Sequence, residues 1–165
     1  MEKVHGAPHR EGRVTESGGA AKPETVSVRV FLDTSAFAKR YVAERGSDKV
    51  IDLCQRADDL TVSVICLPEL ISALSRLRRE KKLDSANYHR LKNDAVADLT
   101  DAGICQLTEH VLASVVSLLE QNSLRAMDAI HVACAIAVKP DVFVSGDREQ
   151  LAAARRAGLK IVDVS

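Results

Sequence analysis

The 165-residue chain has the length of one domain, and its 46% hydrophobic content suffices for a core. Aromatics make up only 3% and Trp is absent, so the core must be aliphatic; an aromatic platform for stacking single strands is disfavoured. With 23 basic and 23 acidic residues the net charge is zero, which excludes a generic basic coat for nucleic acid and leaves any such contact to local patches.

Residues 1–25 are polar and rich in Gly, Glu and Arg, with no hydrophobic period; they read as a disordered extension to which no function is assigned, ahead of one domain over 26–165. The start carries no apolar signal segment, and no run approaches the roughly 20 apolar residues that span a bilayer, so a cytoplasmic protein without a membrane anchor is expected. Val28 to Leu32 reads as a buried strand. A helix is predicted from Thr34 to Glu44, with Gly46 as its stop, and another from Ser47 to Arg56. Leu60 to Ile65 reads as a second strand, and Pro68 opens a long helix to about Lys82. Asp84 caps a helix to about Leu99, and the two helices between Pro68 and Leu99 suggest a hairpin projecting from the core.

Gly103 to Leu107 is a short predicted strand and Glu109 to Gln121 a helix. Ser123 is the expected cap of a helix to about Val138. Asp141–Ser145, Arg148–Ala157 and Leu159–Val164 complete the series as strand, helix and strand. Apolar strands alternating with helices predict a three-layer α/β/α sandwich around a mostly parallel sheet. Cys54, Cys66, Cys105 and Cys134 lie in apolar runs without zinc spacing, so they are expected to be buried free thiols of a reducing compartment.

Open α/β sheets gather function at the carboxyl ends of their strands. Asp33 follows the first strand, Glu69 follows the second, and Asp147 follows Phe143-Val144-Ser145. Each has an ordinary structural reading. Asp33 is a fit helix cap, Glu69 complements a helix dipole, and Asp147 with Gln150 resembles a capping box. Asp128 resists such a reading. Its helix, Ala126 to Ile136, is apolar on every face, and a buried carboxylate needs a cation, either Arg125 or a metal. Clustered carboxylates with all-oxygen donors suit Mg²⁺ or Mn²⁺, and a divalent ion there can activate water and stabilise charge on a phosphodiester.

The segments Val30-Phe31-Leu32-Asp33-Thr34-Ser35-Ala36, Leu67-Pro68-Glu69-Leu70, Leu124-Arg125-Ala126-Met127-Asp128-Ala129-Ile130-His131 and Phe143-Val144-Ser145-Gly146-Asp147, in this order, resemble PIN domains of the VapC type. These are toxin ribonucleases of prokaryotic toxin–antitoxin pairs. The resemblance covers Val28 to Val164 and implies that Asp33, Glu69, Asp128 and Asp147 bind one or two Mg²⁺ or Mn²⁺ ions. It implies RNA hydrolysis leaving a 5′-phosphate and a 3′-hydroxyl, a homodimer, and a cognate antitoxin that covers the site. Ser145 stands where the family usually has Thr, and Ser35 matches the small polar residue after the first acid. The long polar start is not typical of the family.

Arg76, Arg78, Arg79, Lys81 and Lys82 are candidate contacts for RNA phosphates, or else the solvated end of a helix. Lys39 and Arg40 form a weaker candidate patch. Arg125 is a candidate support for Asp128. His131, one turn on, reads as a packed neighbour of the site rather than a ligand. Two rivals remain: a catalytically silent PIN-fold module binding RNA or protein, and an aspartate-based phosphatase or receiver with Asp33 as acceptor. The phosphatase pattern wants a second Asp where Ser35 stands.

Overall fold

The computed structural model describes residues 27–165. The predicted extension over 1–25 and its boundary lie outside them. Five strands form one wholly parallel sheet: β1 (Arg29–Leu32), β2 (Asp59–Ser63), β3 (Gly103–Cys105), β4 (Val142–Ser145) and β5 (Ile161–Asp163), in the order β3-β2-β1-β4-β5. The chain moves outward from β1 to β3, then crosses back to β4 on the other side of β1. Neighbouring connections thus diverge at the carboxyl ends of β1 and β4, the position where such sheets open a crevice.

Strand periodicity sorts the side chains into two cores. Val30, Leu32, Val62 and Val144 face α1 (Thr34–Ala38), α2 (Ser47–Arg56), α3 (Cys66–Arg79) and α4 (Ser85–Thr100). Phe31 and Phe143 face α5 (Glu109–Gln121), α6 (Ala126–Val138) and α7 (Arg148–Arg156). The three-layer α/β/α sandwich expected from the pattern is therefore the observed architecture. Only three Phe enter the core, and two of them, Phe31 and Phe143, meet across β1 and β4 with ring centroids 5.9 Å apart.

Several boundaries differ from expectation. The first helix ends at Ala38 rather than Glu44. Its continuation turns through short bonds from the Lys39, Arg40 and Tyr41 N–H groups to carbonyls three residues back. Gly46 does not stop that helix but precedes the next, at φ 86°. A β-carbon there would stand 2.2 Å from the Val164 carbonyl oxygen. Gly46→Ala is expected to cost about 2 kcal/mol or more, from left-handed strain plus the clash, and to lower the melting temperature by about 4–8 °C in a circular-dichroism melt.

The second strand ends at Ser63 rather than Ile65: the Val64 N–H makes its last bond to β3, at the Cys105 carbonyl, and α3 already begins at Cys66; Pro68 still falls in the first turn, where its missing N–H is not needed. Helices α3 and α4 do pair, but they do not simply project. Helix α3 packs on α1 as well as on α4, and Leu70, Leu74, Leu91, Ala95 and Leu99 are buried in the core cluster on that side of the sheet. Ser123 is not the cap of α6; that helix starts at Ala126 with Arg125 as cap residue, because Leu124 is drawn into the core. Cys54, Cys66, Cys105 and Cys134 are all free thiols, two buried and two partly buried, and burial pushes the Cys66 thiol up to about 12. Among the described residues no helix is long and apolar enough to cross a membrane.

Candidate active site

Asp33 leaves the end of β1 and caps α1, its Oδ1 accepting the Ala36 N–H at 2.8 Å. Its backbone N–H bonds to the Val144 carbonyl across to β4. Ser35 Oγ lies 2.8 and 2.9 Å from its two carboxylate oxygens, and Ser145 Oγ donates to Oδ2 at 2.8 Å. Both hydroxyls also work as acceptors. Ser35 takes the Gly146 N–H and Ser145 takes the Asp147 N–H, each at 2.9 Å. The two supporting serines therefore fasten the turn after β1 to the turn after β4. Gly146 suits this join, since a β-carbon there would crowd Ser35 Oγ at 3.3 Å.

Only 1% of Asp33 is exposed. Burial raises its carboxyl above the usual range, although the Ala36 N–H, the nearby His131, and the hydroxyls of Ser145 and Ser35 pull the other way. A raised carboxyl binds its proton more tightly when folded. Its contribution to stability is thus present in acid and lost as pH rises through the raised value. Asp33→Asn is therefore expected to stabilise the metal-free protein at neutral pH by about 1 kcal/mol, or about 2–4 °C by calorimetry in EDTA. An unchanged or lower melting temperature would show that the ionised form is well accommodated.

Glu69 sits in the first turn of α3. Its Oε2 is 2.6 Å from both Thr34 Oγ1 and His131 Nε2. Burial alone would raise this carboxyl, but the hydrogen bonds from His131 and Thr34 outweigh it and hold Glu69 below the usual range. His131 is itself buried, and its Nδ1 lies 2.9 Å from Ser63 Oγ. It is the packed neighbour that the sequence suggests.

Asp128 is the third residue of α6, where a carboxylate complements the helix N-terminus. It is less buried than an all-apolar helix implies, because the first turn of α6 opens onto the site. Arg125 Nε meets its Oδ2 at 3.0 Å, with side chains 85% and 13% exposed, so Arg125, one of the two cation candidates, does pair with it. Asp147 caps α7 through the Gln150 N–H at 2.9 Å, but the capping box is only half made, because the Asp147 N–H goes to Ser145 Oγ instead of the Gln150 side chain. Gln150 also donates from Nε2 to Asp128 Oδ1 at 3.2 Å, and so touches two of the four acids.

Asp33, Glu69, Asp128 and Asp147 thus line one cleft of about 390 Å³ with Thr34, Ser35, Arg76, Arg125, His131 and Gln150. The acids surround this space without closing on a point: among the described residues no three Asp, Glu, His or Cys side chains form a ready metal cage. Glu69 is held back by His131 and Asp128 by Arg125.

Of the basic run, Arg76 lines the cleft and, with Arg79, an adjoining groove. Arg78 instead lies over the Tyr88 ring at 4.3 Å, Lys82 pairs with Glu80, and Lys81 sits at φ 57° beyond the helix end. Lys39 and Arg40 are not a free patch. Lys39 is buried against Glu44 and the Arg45 carbonyl, and Arg40 pairs with Asp98 at 2.7 Å. Thr34, Ser63 and Gln150 are cleft or support residues that sequence did not single out for the site; only the Asp147–Gln150 spacing hinted at one of them.

The sequence pattern of the PIN domain matches residues 30–157. The chain is 29% identical over 134 residues to Ribonuclease VapC45 of Mycobacterium tuberculosis, covering 80% of this chain and 93% of that protein. Its fold is similar to that of VapC20 of Mycobacterium tuberculosis, described as a sarcin-ricin loop cleaving toxin, with a TM-score of 0.59 and 18% identity over 75% of this chain and 94% of that one. It is also similar to a chain of a toxin–antitoxin complex from Klebsiella pneumoniae, with a TM-score of 0.61 and 13% identity over 82% and 98% of the two chains. The match across most of the sequence, on a parallel sheet with its acids at the carboxyl edge, establishes that the chain belongs to the PIN domain family.

Proposed function

We propose that the chain is a metal-dependent endoribonuclease and the toxin of a VapBC-type pair. The observation that carries this reading is the convergence of Asp33, Glu69, Asp128 and Asp147, from four distant segments, on one cleft. The ribonuclease name of a relative and the toxin–antitoxin complex among similar folds support it.

The donor set fits a hard divalent cation, Mg²⁺ or Mn²⁺. All four acids offer oxygen. Asp33 is buried with no ion-pair partner among the described residues, and burial disfavours its ionised form. Gln150 Oε1 is the one buried side-chain oxygen or nitrogen among the described residues with no hydrogen-bond partner. Leaving such an atom unsatisfied costs about 1–3 kcal/mol, and a polar ligand in the cleft that Gln150 lines would satisfy it.

A divalent cation bound there supplies a more acidic water and stabilises charge on the phosphodiester. The protein's own residues set the frame. Ser35 and Ser145 hold the Asp33 carboxylate in place, and Thr34 and His131 hold Oε2 of Glu69, leaving Oε1 for the cleft. Gln150 spaces Asp128 from Asp147. Arg125, largely exposed, neutralises Asp128 until a cation or substrate displaces it. An antitoxin is the proposed partner, and a basic side chain placed among the acids would substitute for the cation. A homodimer is proposed as well, supported by Leu112, Val116 and Leu119, which lie exposed along one face of α5.

The decisive experiment incubates purified protein with total RNA and Mn²⁺ or Mg²⁺, beside an EDTA control. Cleavage that needs the metal is expected. A folded, metal-bound, antitoxin-free protein that cuts no class of RNA would leave the binding-module reading in its place.

A further inference from the structure

Beside the acidic cleft runs a second concavity of about 450 Å³ along α3, walled by Ser72, Ala73, Arg76 and Arg79 and bounded by Met127 at the start of α6. It is not a separate pocket. Glu69, Ala73 and Arg76 belong to both spaces, so the groove is an exit from the cleft.

Its chemistry differs from that of the cleft. Arg76 and Arg79 stand one helical turn apart on the same face of α3, both exposed and neither in an ion pair among the described residues. Their neighbours behave otherwise, since Arg78 is committed to Tyr88 and Lys82 to Glu80. Met127 is 40% exposed, a large apolar side chain left at the surface next to Asp128. Its polarisable thioether is suited to contact with a flat ring.

We propose that this groove is a subsite for one unpaired ribonucleotide flanking the cut, with Arg76 and Arg79 on its phosphates and Met127 against its base. This rests on the ribonuclease reading and adds to it the path by which the strand leaves the cleft. Two guanidiniums complement a phosphate strand, and a strand whose scissile phosphate lies among the acids must run out past Arg76 if it leaves along α3. A base still paired in a duplex could not turn its face to Met127. The thioether replaces the aromatic platform that this Trp-free chain lacks.

The test is fluorescence anisotropy of a labelled 12-nucleotide single-stranded RNA with full-length protein carrying Asp128→Asn in Mg²⁺, over a series of salt concentrations. A phosphate contact to a single strand contributes about 0.7 to the slope of log affinity against log salt. Arg76→Ala and Arg79→Ala are each expected to flatten that slope by about 0.7 and to raise Kd about 5–10-fold. Met127→Ala is expected to raise Kd about fivefold with the slope unchanged, and Met127→Tyr to restore or tighten binding, as base stacking does. Arg78→Ala serves as the control that changes neither.

Unchanged slopes in both arginine variants would overturn the subsite. So would Arg76- and Arg79-dependent binding of a glutamate-rich peptide without a matching effect on RNA; the groove would then belong to an acidic protein segment. Failure of the ribonuclease reading is separable, because it appears as no metal-dependent cleavage by the parent protein, or as cleavage undiminished by Asp128→Asn, before any groove variant is made.

Discussion

Asp128→Asn will lower RNA cleavage by about a thousandfold while leaving the fold intact. The effect on rate follows from the cation. A divalent ion supplies several kcal/mol of charge stabilisation in phosphoryl chemistry, and losing about 4 kcal/mol of it is about three decades in rate. The effect on folding is small for reasons visible around the residue. Asparagine keeps an oxygen to accept the Gln150 amide, now 3.2 Å from Oδ1. The lost partner, Arg125, is 85% exposed, so its charge returns to water with little penalty. The measurement is a single-turnover cleavage rate at saturating Mn²⁺, paired with a thermal melt. A variant as active as the parent would mean that the cutting activity belongs to a contaminant or to another site.

The fold was legible because its signals are periodic. Apolar strands alternate with helices, and the two faces of β1 and of β4 carry the two cores. The four acids were legible for a different reason: Asp33 and Asp147 come within two residues of strand ends, Glu69 lies in the first turn of the helix after β2, and Asp128 is out of place in an apolar helix. Boundaries were less so. Gly46 carries the same sequence signal whether it ends one helix or begins the next, and only the Val164 carbonyl against it decides. Ser123 is a good cap by type, yet burial of Leu124 moves the helix start to Ala126.

The support of the site was the hardest part to read. Ser63 and His131 are 68 residues apart, and Ser145 and Asp33 are 112 apart; no local pattern links them. The basic run shows the same limit. Five charges in seven residues look equivalent in sequence, but a helix distributes them around its axis, so Arg76 and Arg79 line the groove while Arg78 covers Tyr88.

Asp33 and Asp147 also show that capping and site placement are compatible readings. Each carboxylate satisfies a helix N-terminus with Oδ1, through Ala36 and Gln150 respectively. That bond fixes the rotamer and so fixes where the second oxygen goes. A strand end followed at once by a helix start is therefore a rigid mount for an acid, and the parallel sheet brings two such mounts together from β1 and β4.

His131→Leu will weaken Mn²⁺ binding about 10–100-fold, the usual cost of losing a residue that orients a metal-binding group. Ser63 can donate to Nδ1, which leaves the Nε2 hydrogen for Glu69 Oε2 at 2.6 Å. Leucine fills the buried space but offers no hydrogen bond, and Glu69 is then held by Thr34 alone. His131→Gln places an amide N–H near the lost Nε2 and is expected to stay within about threefold of the parent. A purely structural role predicts a different pattern. Titration calorimetry with Mn²⁺ on Glu69→Gln and on the double variant separates the two. If His131 acts through Glu69, adding His131→Leu to Glu69→Gln will cost almost nothing more. If the penalty is the same in both backgrounds, His131 supports the fold rather than the acid, and Glu69 must find its orientation from Thr34 alone.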